Sequence, residues 1–179
     1  MIRAFLALPL PAPIVHKLTI AQHRLPLPRP LDAETFHITL VFLDRQPEPL
    51  LEELHHAIEA MALFPPLLRL DGLGTFGGGD PDNLHVRIAG DARLAAVQMK
   101  VSRAARQLGI AIPARKFAPH VTLGRFRKGE AQPAELARAM QAVEPVTSDL
   151  WLAEEMVLYR STPRPEGPAY DPLATYKLG

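Results

Sequence analysis

Cysteine is absent from the 179 residues, which excludes disulfides, thiolate nucleophiles and cysteine-based zinc sites. No apolar run approaches the roughly 20 residues that span a bilayer, and the amino terminus lacks the basic segment and apolar core of a signal peptide. A cytoplasmic location with no membrane partner is therefore expected. Net charge is only +1 with histidine neutral, so tight, non-specific binding to a long nucleic-acid duplex is not indicated. Disorder is not indicated either, because 47% hydrophobic and 22% charged residues are ordinary globular values. The length suits one domain, 1–179, or two tightly joined lobes. Acidic residues are missing from one stretch: Lys100 to Lys128 holds eight basic residues and no Asp or Glu. A local positive field is expected there, although Lys100, Arg103 and Arg106 read equally well as the wet face of a helix.

What is present is a repeated pattern. Phe36-His37-Ile38-Thr39-Leu40-Val41-Phe42-Leu43 returns as His120-Val121-Thr122-Leu123-Gly124-Arg125. Each copy is His, a β-branched aliphatic, Thr and Leu in an apolar run, which predicts a buried strand. Side chains alternate faces along a strand, so His37 and Thr39 share one face and Ile38 and Leu40 the other. The same alternation separates His120 and Thr122 from Val121 and Leu123. Laid side by side, the two strands present two imidazoles and two hydroxyls to one cleft. With an ordinary pKa near 6.5, histidine can give or take a proton near neutrality. The hydroxyls of Thr39 and Thr122 can donate to phosphate oxygens, and Arg125 can stabilise developing negative charge. Phe117 is a candidate for stacking on a base. Core packing is the expectation for Phe42.

The paired His-x-Thr motifs, 83 residues apart, resemble the signature of the 2H phosphoesterase superfamily. Within it the chain resembles the RNA 2′,3′-cyclic phosphodiesterases, also called 2′-5′ RNA ligases. The opening Ile2-Arg3-Ala4-Phe5-Leu6-Ala7-Leu8-Pro9, the Phe117-x-x-His120-Val-Thr-Leu-x-Arg125 context and the ending from Leu158-Tyr159-Arg160-Ser161 to Leu173 carry this resemblance over nearly the whole chain. It implies an α+β fold of two antiparallel sheets in two lobes, related by an approximate two-fold, with the cleft between. It also implies His37 as general acid toward the ribose O3′ and His120 as general base on water, with RNA as substrate, a 2′-phosphate product and ATP-independent 2′-5′ ligation as a further reaction. No cofactor or metal is implied, and a monomer with no obligate protein partner is expected. A small cyclic nucleotide or an ADP-ribose cyclic phosphate as substrate, a non-catalytic RNA-end module and a zinc hydrolase are the competing readings. The last lacks a third ligand near either motif.

The chain in order predicts a strand at 2–8, a helix from Ile14 to Gln22, and a plain proline-rich linker at Leu25–Pro30. The first His strand follows, then a helix from Leu50 to Leu63. On that helix the adjacent His55 and His56 are expected to diverge, arguing against joint chelation. A strand at Leu67–Gly74 leads into Gly72–Gly79, read as a flexible hairpin loop because no Lys-Ser/Thr or closely following helix supports a phosphate-binding loop. Leu84–Ile88 is a strand with His85 and Arg87 on one face; His85 is expected at a solvated position, or in contact with substrate if that face lines the cleft. Asp91 caps a helix to Leu108, and the second His strand spans Phe117–Arg127. A helix at Glu135–Val143 and strands at Thr147–Leu152, Met156–Thr162 and Leu173–Leu178 complete the chain. One His motif per half, each followed by a helix, suggests an internal duplication.

Overall fold

The fold is described for residues 1–179 from a computed structural model. In chain order it runs β1 (Ile2–Pro9), α1 (Ala12–His23), β2 (His37–Gln46), α2 (Glu48–Glu59), β3 (Leu67–Phe76), β4 (Asn83–Gly90), α3 (Ala92–Gln107), β5 (His120–Arg125), α4 (Pro133–Ala142), β6 (Trp151–Leu152), β7 (Glu155–Thr162) and β8 (Ala169–Lys177). The strands form two antiparallel four-stranded sheets, β2-β1-β7-β8 and β5-β4-β3-β6. The unit strand–helix–His strand–helix occurs twice, as β1-α1-β2-α2 and β4-α3-β5-α4. In each sheet the His strand is an edge and the strand that opens its unit lies next to it. The fold is therefore α+β, as the sequence implied, with the two pseudo-equivalent lobes that the family resemblance implied.

Local sequence explains the elements. Helices α1, α2 and α4 carry proline within their first two positions, where its fixed φ and missing N–H cost nothing. The Asp91 carboxylate accepts from the Arg93 N–H at the start of α3, and Gly109 follows its end at φ +83°, a left-handed backbone that glycine adopts without strain. Alternation along the strands sends Leu6, Leu8, Ile38, Leu40, Leu84, Val86, Val121 and Leu123 into one continuous core. The opposite faces carry His37 and Thr39 in one sheet and His120 and Thr122 in the other.

Several boundaries differ from expectation, among them β5, which is His120–Arg125 instead of Phe117–Arg127, and β8, which begins at Ala169 instead of Leu173. β3 does not end at Gly74 but continues to Phe76, paired with β4 across a register shift between Leu70 and Leu73. Only Gly77–Asp82 remains for the loop, so Gly72 and Gly74 belong to a strand that needs room above it. Helix α2 stops at Glu59, and the chain turns so that Leu63 is buried. From Thr147 only Trp151–Leu152 is a regular strand, with a single bridge from Thr147 to Asp71. Finally, the proline-rich segment is no plain linker. Its distal residues lie along the free edge of β5: Leu31 N–H donates to Leu123 O at 2.9 Å and Arg125 N–H to Arg29 O at 3.3 Å. The Gln22 side-chain amide donates to both Leu31 O and Leu123 O at 2.8 Å, and Arg29 makes a forked ion pair with Glu130. An exposed strand edge has unpaired backbone groups, and this connector satisfies those of the second His strand.

Candidate active site

The two His strands lie in contact, one from each sheet. His37 is half-buried, and its Nδ1 lies 2.7 Å from Thr35 O. A carbonyl only accepts, so Nδ1 carries the proton and Nε2 is the free nitrogen. That nitrogen is 2.9 Å from Thr39 Oγ1. His120 repeats the device, with Nδ1 donating to Ala118 O at 2.7 Å. In both copies the carbonyl two residues upstream holds the ring and frees Nε2, the arrangement a general acid or base needs.

The surroundings of the two rings differ. Around His37 they are aromatic: Phe5 at 4.9 Å, Tyr170 edge-on at 5.2 Å and Tyr159 at 6.5 Å between ring centroids. Burial here pushes His37 down to about 4, with the charges of His120 and Arg125 acting in the same direction. His120 is also lowered, first by burial and then by Arg125 and Arg115. Arg125 acts on both imidazoles and is exposed, so a cation sits within electrostatic reach of the pair. Thr122 shares the His120 face of β5, because it alternates with the buried Val121 and Leu123. Phe117 is half-buried and packs against the core just before β5.

Three expectations are overturned. His85 is not solvated: it is 3% exposed, stacked on Phe76 at 4.3 Å and 4.9 Å from the His120 ring. A lone strand histidine carries no sign of which face is covered; Phe76 at the end of β3 covers this one. Phe42 is not a core residue but 49% exposed, its ring 6.2 Å from Phe5, because a bulge in the β1–β2 pairing shifts the alternation after Thr39. His55 and His56 do not diverge. Glu59, one turn on, brings them together, and ligand atoms of all three lie within 4.8 Å of one another. This group on α2, with His55 half-buried and His56 and Glu59 exposed, is a grouping of three His or carboxylate side chains that the sequence reading sets aside.

A model of the 2′-5′ RNA ligase superfamily matches residues 10–164. The chain belongs to the 2′-5′ RNA ligase superfamily. Among curated relatives in this superfamily, the RNA 2′,3′-cyclic phosphodiesterase of Geobacillus stearothermophilus is 34% identical over 163 residues, covering 88% of this chain. The chain spans 50% of that relative's length. The protein of the same name from Aeropyrum pernix is 29% identical over 163 residues, 89% of this chain and 90% of that one. Among solved structures, a protein of Thermus thermophilus superposes with a TM-score of 0.83 at 28% identity over 98% of this chain and 97% of its own. LigT of E. coli complexed with 3′-AMP gives 0.75 at 21% identity over 99% and 97%, a likeness of fold. No helix of this superfamily member is long and apolar enough to cross a membrane.

Proposed function

We propose that the protein is a single-domain RNA 2′,3′-cyclic phosphodiesterase in which His37 is the general acid and His120 the general base. The observation that carries this is the matched pair of imidazoles, each held through Nδ1 by a backbone carbonyl with Nε2 left unprotonated, that of His37 beside Thr39 Oγ1. In the reaction His120 Nε2 takes a proton from water, the water oxygen bonds to phosphorus, the P–O3′ bond breaks, and O3′ takes the proton of His37. The product is a 2′-phosphomonoester. With an RNA 5′-hydroxyl in place of water, the same two transfers form a 2′-5′ linkage without ATP. Neither step requires a cofactor or metal.

Burial lowers His37 to about 4 and so holds it neutral at pH 7 in the free protein. A phosphate anion between the two rings offsets the Arg125 charge and favours the protonated ring. Neutral His37 can only accept at Nε2, so Thr39 donates its hydroxyl proton to it. Protonation of His37 reverses that bond and frees the Thr39 hydroxyl for a phosphate oxygen. Loading the acid and gripping the substrate thus become one event. Thr122 and Arg125 supply further donors to the non-bridging oxygens, and Phe117 offers an aromatic edge beside the second motif.

The test is hydrolysis of a short RNA ending in a 2′,3′-cyclic phosphate, with EDTA present, by the intact protein, His37→Ala and His120→Ala. The expected result is a 2′-phosphate product, with each substitution costing on the order of 100-fold or more. Formation of a 3′-phosphate, arrest by EDTA, or near-full rate in either variant overturns the assignment.

A further inference from the structure

The strands behind the two catalytic motifs are not alike. His37 and Thr39 stand opposite Pro9 and Ala7 of β1. His120 and Thr122 stand opposite Arg87 and His85 of β4, and His85 is in turn opposite Gly74 of β3. Residues in register on adjacent strands share a face. On the His120 side, therefore, the face beside the motif continues as an imidazole and a guanidinium, where the matching β1 positions carry only Pro9 and Ala7.

Two glycines make room for this. A Cβ at Gly72 would come within 2.9 Å of an Arg87 Nη, and one at Gly74 within 2.8 Å of His85 Nε2. Arg87 is anchored across β3, with Nε donating to Asp71 O at 3.1 Å and Nη1 to Leu73 O at 2.6 Å. Of its five N–H donors, three are left over on an exposed side chain, and no carboxylate forms a salt bridge with it. His85 adds no competing charge. Asn83 Oδ1 accepts from both Phe76 N–H at 3.3 Å and His85 Nδ1 at 2.9 Å, and burial lowers His85 to about 4. The result is a rigid, unpaired cation resting over β3. Two strand spacings, roughly 10 Å, separate β3 from β5. That is too far for a phosphate held at His120 and within reach of the next phosphate of a nucleotide chain.

We propose that Arg87, seated over Gly72, is a second phosphate subsite that takes the phosphate on the 5′ side of the nucleotide whose 2′,3′-cyclic phosphate lies between His37 and His120. The site thereby selects chain ends or 5′-phosphorylated nucleotides over bare nucleoside cyclic phosphates. This rests on the hydrolytic reading above, and its test is built to fail separately.

The measurement is kcat/KM for adenosine 2′,3′-cyclic phosphate and for its 5′-phosphorylated form, in the intact protein and in Arg87→Gln. The intact protein should prefer the 5′-phosphorylated substrate by about 10- to 100-fold, the scale of hydrogen bonds to a charged group, and Arg87→Gln should bring that ratio close to one. An intact-protein ratio near one, or a ratio unchanged by the substitution, overturns the subsite. Calorimetric binding of adenosine 3′,5′-bisphosphate against adenosine 3′-monophosphate reads the same subsite without catalysis. If hydrolysis is absent but the bisphosphate advantage exists and disappears in Arg87→Gln, the subsite stands and the hydrolytic reading falls. Absence of any such advantage in binding overturns the subsite.

Discussion

Replacing His37 with Asn should flatten the acid limb of the stability curve. In the folded protein His37 is held down to about 4 by burial, whereas in the unfolded chain it titrates near 6.5. Between these values the unfolded state binds more protons, so stability falls as pH falls. The contribution is fully present above pH 6.5 and gone by pH 4. The full gap corresponds to ~3 kcal/mol, at a slope of at most about 1.4 kcal/mol per pH unit. His85, lowered to about 4, adds a similar limb, but it is common to both proteins and cancels in the difference. An Asn amide can keep the bond to Thr35 O that His37 now makes, and any packing lost with the ring is independent of pH. Urea unfolding at half-unit steps from pH 7.5 to 4, with the variant's free energy subtracted from the wild type's, isolates the imidazole. A difference that declines by ~3 kcal/mol across this window is the expected result. Parallel curves, or a difference that grows as pH falls, would show that His37 is not desolvated and would remove the reasoning on the loading of the acid.

Because both His37 and His120 lie below the ordinary value, the free enzyme should give a kcat/KM profile peaking on the acid side of pH 6.5 and falling about tenfold per unit at higher pH. A plateau extending above pH 8 would contradict this. Gly124→Val should dislodge the connector, since a Cβ there would meet Leu27 Cδ2 at 2.8 Å and the Arg29 carbonyl at 3.1 Å. The expected cost is about 1–3 kcal/mol, read by urea unfolding, together with faster proteolysis within residues 25–31; unchanged values of both would show the contact to be loose.

The two His strands are legible in the sequence because their information is local. Alternation alone puts His37 with Thr39 and His120 with Thr122, and the repeat of strand, helix, His strand and helix foretells the duplication. The departures share a non-local cause. Proline at alternate positions looks like a linker until Leu123 and Arg125 supply backbone partners 92 and 96 residues away. Gly72 and Gly74 look like a loop until Arg87 and His85 occupy the space above them. Phe42 is turned outward by a bulge, and bulges leave no mark in the pattern of residue types. His55 and His56 look divergent as a pair, whereas the residue that joins them is Glu59.

The connector along β5 also dictates how this scaffold can be recombined. The segment around Leu31 belongs to the first half of the chain by sequence, yet its hydrogen bonds belong to the second His strand. A chimera exchanging halves with a relative at the seam between α2 and β3 would separate Arg29 from Glu130 and Gln22 from Leu123, contacts that depend on both halves at once. Crossovers should therefore carry residues 22–31 with the β5 donor, leaving the short arm from Asp32 to Phe36 as the graft junction ahead of His37.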